Sequence, residues 1–172
     1  MKYHIIAFLA GFILDLLCGD PHWLPHPIRL IGHLIDMLQK RLLRQTDTGV
    51  VKRRNGAVLV VTVCLLTVLV AAVILLGAYY LHPYLGCLAE TVMTYQLLAL
   101  KCLRVESEKV YTALIYGTIE EARYAVSMIV GRDTQTLDEA GVTRAAVETV
   151  AENASDGVIA PMLYLAGGGP VA

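Results

Sequence analysis

The amino-acid sequence predicts an all-α fold, a polytopic integral membrane protein whose cytoplasmic loops are themselves helical. Three observations carry that expectation. The 172-residue chain is 56% apolar, with a mean hydropathy of +0.60 and only 17% charged residues, against about 25% in soluble domains. From Asn55 to Ala89, 35 consecutive residues contain no Asp, Glu, Lys or Arg, whereas crossing a bilayer takes only about 20. Apolar and polar stretches then alternate along what is read as one membrane domain, residues 1–172.

The first apolar stretch, residues 3–18, is read as an uncleaved spanning helix. A signal peptide competes with that reading, because Lys2 precedes the apolar run. No small residue precedes Cys18, however, and Asp15 lies within the run. Residues 19–56 make a polar loop with seven cations, Arg29, Lys40, Arg41, Arg44, Lys52, Arg53 and Arg54. Against Asp20, Asp36 and Asp47 the loop is +4 (7 − 3), and positive loops stay cytoplasmic.

Residues 57–78 and 84–103 are read as a hairpin of two spans. Pro83 lacks a backbone donor and restricts His82 before it, so the turn falls there. The return span carries Glu90. A carboxylate at that depth faces protein or a polar cavity, or else sits near the interface. Residues 104–157 come back to the cytoplasmic side with ten of the chain's 15 acidic residues. Within them Thr118-Ile119-Glu120-Glu121 has capping-box spacing, and Thr143 to Asn153 reads as a further helix. Residues 158–172 begin a partial span. The expected location is the bacterial inner (cell) membrane, multi-pass, with the lipid bilayer as a partner. A net charge of −1 gives no electrostatic case for nucleic acid. Cys18, Cys64, Cys87 and Cys102 lack C-x-x-C spacing, so neither a disulfide nor a zinc site is read from them.

Two constellations stand out as chemistry. Asp15-Leu16-Leu17-Cys18-Gly19-Asp20-Pro21 runs on to Pro25-His26-Pro27-Ile28-Arg29, and three prolines hold Asp20, His22, His26 and Arg29 in a stiff loop beside an interfacial Trp23. Arg144, Glu148 and Glu152 then recur every four residues along one helix face, with Asn153 and Asp156 where that helix should end. Glu148, Glu152 and Asp156 suit a hard cation such as Mg2+; a solvated acidic face explains the same spacing equally well. Between the two, Val130-Gly131-Arg132-Asp133-Thr134 is a charged turn. No Gly-x-x-x-x-Gly-Lys-[Ser/Thr] phosphate loop occurs.

In their order along the chain these motifs resemble the cobalamin biosynthesis CbiB/CobD family. The similar segments are Leu14 to Pro21, Pro25 to Arg29 with Ile31-Gly32, Val130 to Thr134, and Arg144 to Asn153 continuing from Asp156 to Pro161. Cys18 stands where an aliphatic residue is more usual. The resemblance implies adenosylcobinamide-phosphate synthase activity, that of an ATP-dependent amide-forming ligase. The f-propionate carboxylate of the corrinoid adenosylcobyric acid is joined to the amine of aminopropanol or aminopropanol phosphate. It also implies ATP and Mg2+ as cofactors, and other late corrin-pathway membrane enzymes as partners. In such a site Arg29 and Arg132, with Asn153, suit substrate and phosphate, and Glu148, Glu152 and Asp156 suit metal. Asp20 or His26 suits the base, and Asp133 joins Arg132 in the catalytic group. Family members run to roughly twice this length, so the chain is expected to be an N-terminal half that inserts without forming product alone. The alternative is a non-catalytic membrane scaffold or transporter component. A transporter would favour polar residues within the spans, whereas here they concentrate in loops.

Overall fold

Residues 2–21, 25–44 and 48–171 are described by the computed structural model, and no strand occurs among them. Helix α1 (Lys2–Cys18) is followed by α2 (Pro27–Leu42), α3 (Gly49–Leu81), α4 (Pro83–Leu97) and α5 (Leu100–Tyr116). Then come α6 (Ile119–Ser127), α7 (Glu139–Ala154), a π turn (Ser155–Ile159), α8 (Ala160–Gly168) and a 3-10 turn (Gly169–Val171). His22, Trp23 and Asp47 lie outside the described residues.

Among the described residues α3 is the one helix long and apolar enough to cross a membrane. At 1.5 Å per residue its 33 residues extend about 50 Å. It starts at Gly49 rather than at residue 57. Nothing between Gly49 and Gly56 forbids helix, so Lys52, Arg53 and Arg54 ride on its first turns. There Asn55 Nδ2 donates to the Leu42 carbonyl at 2.7 Å, fastening the base of α3 to the end of α2. Its far end is set by Pro83, which holds His82 extended (φ −164°, ψ 137°). The hairpin turn is therefore a single residue. His82 serves both helices, its Nδ1 accepting the Tyr84 N–H at 3.3 Å.

The return segment, expected as one span over residues 84–103, is two helices. The break at Leu98–Ala99 has a cause elsewhere in the chain: Asp15 of α1 accepts the Leu100 N–H at 2.9 Å, an N-terminal donor that no carbonyl of its own helix takes. Helices α1 and α4 run parallel. Tyr3 stacks edge-on against Tyr84, with ring centres 5.8 Å apart. Further along, Gly11 abuts Thr94 so closely that a Cβ there would lie 2.7 Å from its side chain. Glycine at this position lets the two backbones meet.

The polar end of the molecule has a core of its own. Val110 of α5, Ala122 and Val126 of α6, and Val142 and Ala145 of α7 are fully buried together. Each valine contributes on the order of 1.5 kcal/mol by leaving water. Local signals aim these helices. Thr118 and Glu121 exchange backbone hydrogen bonds in the expected capping box of α6, and Asp138 accepts the Gly141 N–H at 2.8 Å to start α7.

Helix α7 does not stop at Asn153–Asp156. The Ala160 N–H bonds back to the Ser155 carbonyl, and this wider turn carries the chain past Pro161, which has no N–H to offer Gly157. Polar side chains are also found inside the apolar helices, against the expectation that they collect in loops. Asp15, Glu90, Thr91 and Thr94 are all buried. Glu90 takes Tyr79 Oη on one oxygen and His4 Nδ1, at 2.5 Å, on the other.

Candidate functional site

The end of α1, the loop after it and the α4–α5 break are fastened together at one corner of the molecule. Gly19 ends α1 in the left-handed region (φ +66°), its N–H on the Asp15 carbonyl at 2.9 Å, as glycine does after a helix. Tyr95 Oη donates to the Gly19 carbonyl. Lys101 Nζ donates to the Leu17 carbonyl at 2.5 Å, and its stem lies under Gly19, where an added Cβ would meet Lys101 Cδ at 3.1 Å. Gln96 Nε2 reaches the Pro25 carbonyl at 3.0 Å. With the Asp15 cap on Leu100, these bonds fix Asp20 and the start of α2 relative to α5.

His26 forms the N-cap of α2. Its Nδ1 accepts the Ile28 N–H at 3.2 Å, and Pro27 follows at the first helical position. Arg29 lies one turn further on and, with Asp20, lines a cavity of about 430 Å3. The other wall comes from α5 and α6: Cys102, Glu106 and Lys109 share one face of α5, and Tyr124, Ala125 and Met128 close the side. Lys109 Nζ donates to Glu106 Oε1 at 2.6 Å.

Arg132, Asp133, Glu148, Glu152, Asn153 and Asp156 do not line this cavity. Arg132 meets Glu148 at 3.0 Å in an exposed ion pair. Asp133 accepts the Gln135 N–H at 3.0 Å and Thr134 Oγ1 bonds the Arg123 carbonyl at 3.0 Å, so both shape the turn between α6 and α7. Glu152, Asn153 and Asp156 are exposed along α7 and the π turn. Gly157 of that turn faces Ala99, 3.9 Å from its would-be Cβ, which brings the π turn up to the α4–α5 break.

Among the described residues no group of three or more His, Cys, Asp or Glu side chains is gathered to hold a metal ion. Glu148, Glu152 and Asp156 thus do not form a protein-only cage.

The sequence reading did not single out Glu106, Lys109 or Tyr124. In α5 an acid followed three residues later by a lysine is the pattern of any solvated helix face. Asp15 was read as a charge in the apolar run and as the start of the first constellation, but its bond to the Leu100 N–H, 85 residues on, was not foreseen.

A protein-family profile described as CobD/Cbib protein matches residues 8–172. The "Cobalamin biosynthesis protein CobD" of Halalkalibacterium halodurans is 41% identical over 170 residues, 98% of this chain and 52% of that protein. The protein of the same name from Geobacter metallireducens is 46% identical over 165 residues, 95% and 51% of the two chains. That of Photorhabdus laumondii is 45% identical over 170 residues, 98% and 53%. The chain spans about half the length of the curated relatives it matches. No solved structure matches it.

Proposed function

The chain belongs to the CobD/Cbib family, and on that premise we propose that it serves cobalamin biosynthesis at the step that attaches an amino alcohol to a corrinoid. The reaction is amide formation between a propionate carboxylate of adenosylcobyric acid and the amine of aminopropanol or its O-phosphate. The observation that carries this reading is the family match over residues 8–172, with relatives named for cobalamin biosynthesis.

A carboxylate does not condense with an amine in water without activation, and ATP with Mg2+, when bound, supplies it. The chain's own residues have separable tasks. Arg29 holds phosphate, and Asp20, which lines the same cavity, receives the ammonium and takes a proton from it, freeing the lone pair with which the nitrogen then attacks. Asp20 suits that role better than His26, whose Nδ1 caps α2. Arg132, beside Glu148, and Asn153 present donors to nucleotide phosphate, while Asp133 sets the turn that aims Arg132. Glu148 and Glu152, one helical turn apart, with Asp156 beyond them, receive a metal brought in with phosphate.

The bilayer is the setting we propose. Besides α3, the exposed faces of α1 (Ile5, Leu9, Ile13), α4 (Leu85, Leu88) and α8 (Leu163) are apolar, more than a water-soluble monomer tolerates in one patch. With α1 parallel to α4 and α3 antiparallel to α4, the +4 segment and the acidic helices α5–α7 fall on one side, the cytoplasmic one.

Growth of a cobalamin auxotroph blocked at this step tests the reading. The chain, co-expressed with the C-terminal half of the Geobacter metallireducens relative, should restore growth on cobyric acid. Growth on cobinamide alone, with none on cobyric acid, would argue against an amide-forming role.

A further inference from the structure

We infer that Glu106 and Lys109 of α5 complete, with Asp20 and Arg29, the pocket for the small amine substrate: Lys109 meets its phosphate and Glu106 its ammonium. This assignment rests on the amide-forming reading above and adds residues to it that neither the motifs nor the family match single out.

Size comes first. A cavity of about 430 Å3 falls in the range of small-ligand sites, about 300–1,000 Å3. A corrin ring with its side chains is too large to be enclosed there, so the cavity suits the smaller reactant. Charge points the same way. The walls carry two carboxylates, Asp20 and Glu106, and two cations, Arg29 and Lys109. A ligand with one ammonium and one phosphate matches that set, and neither a simple anion nor a simple cation does.

Geometry distinguishes this ion pair from an ordinary surface pair. Arg104 and Glu108, on the same helix, make a comparable pair with 77% and 58% of the side chains exposed, which is worth little. Glu106 is 27% exposed and Lys109 59%. Both line the cavity, the carboxylate more covered than the ammonium. An incoming phosphate can therefore take Lys109 from Glu106, and the carboxylate so released can receive the substrate ammonium. Tyr124 beside them supplies an aromatic wall.

The test is calorimetric titration of the purified chain in detergent with three probes: aminopropanol phosphate, aminopropanol and inorganic phosphate. Lys109→Gln should weaken aminopropanol phosphate by about tenfold or more, the size of a lost charged hydrogen bond, and leave aminopropanol unchanged. Glu106→Gln should weaken both amine probes and spare inorganic phosphate. Lys109→Arg should keep phosphate affinity, and Glu108→Gln should behave as the parent. Parent-like binding by both Gln variants, equal losses across all three probes, or no binding by the parent would each overturn the assignment. The growth assay separates the two levels. Selective binding losses without growth on cobyric acid would sink the cobalamin reading and leave the pocket standing. Restored growth with Glu106→Gln and Lys109→Gln indistinguishable from the parent would sink the pocket alone.

Discussion

Asp15 shows how one buried side chain sets the site's geometry. It is 1% exposed, and its carboxylate satisfies a backbone donor at the start of α5. Asp15→Leu would leave the Leu100 N–H unpaired, a loss of about 1–3 kcal/mol, and loosen the corner that holds Asp20. Asp15→Asn keeps an acceptor oxygen and should lose clearly less. Thermal unfolding of the two variants in detergent reads the difference, and equal midpoints would deny Asp15 its capping role. Glu148 gives the opposite expectation. Its ion pair with Arg132 is more than half exposed on both sides, so Glu148→Gln should shift stability by no more than about 1 kcal/mol. Glu152→Gln, in chains paired with the relative's C-terminal half, should raise the Mg2+ needed for half activity. An unaltered Mg2+ requirement would remove Glu152 from the metal role.

Among the helices, α1 crosses α4 tightly at Gly11, against Thr91 and Thr94. Gly11→Ala should cost about 1–3 kcal/mol by overpacking, detectable as a lowered unfolding midpoint. Gly32→Ala, which meets open space, is the control, and equal shifts in both would mean that the crossing is not tight. Which helices form was largely legible: the uncharged run gave α3, the Thr118–Glu121 box gave α6, and Pro83 gave the hairpin turn. The boundaries that were missed depend on partners distant in the chain. The break before Leu100 depends on Asp15, and the passage of α7 into α8 on a π turn at Pro161 that local helix signals do not encode. The candidate site divides in the same way. Asp20 and Arg29 could be picked from the proline-rich loop, whereas Glu106 and Lys109 look like any solvated pair until folding sets them across from that loop.

For the molecule as a whole, α1 packs parallel to α4 and α3 runs antiparallel to α4, and the membrane orientation proposed above puts Asp20, α2 and α5–α7 on one face. A cysteine at Tyr80, 91% exposed at the hairpin end, should react with an impermeant reagent added from the periplasm, and one at Thr48 should not. Labelling at Thr48 from that side would invert the topology. In that proposed orientation the cavity lined by Asp20, Arg29, Glu106 and Lys109 lies at the cytoplasmic end of the molecule. The central claim is that this family member joins an amino alcohol to a corrinoid carboxylate. Its most direct test is mass spectrometry of corrinoids. Membranes carrying the chain with the relative's C-terminal half would be incubated with adenosylcobyric acid, isotopically labelled aminopropanol phosphate, ATP and Mg2+. The account predicts a labelled corrinoid heavier by the amino alcohol phosphate less one water, diminished by Asp20→Asn. Adenosylcobyric acid recovered unchanged and unlabelled, from membranes shown to contain both halves, would contradict it.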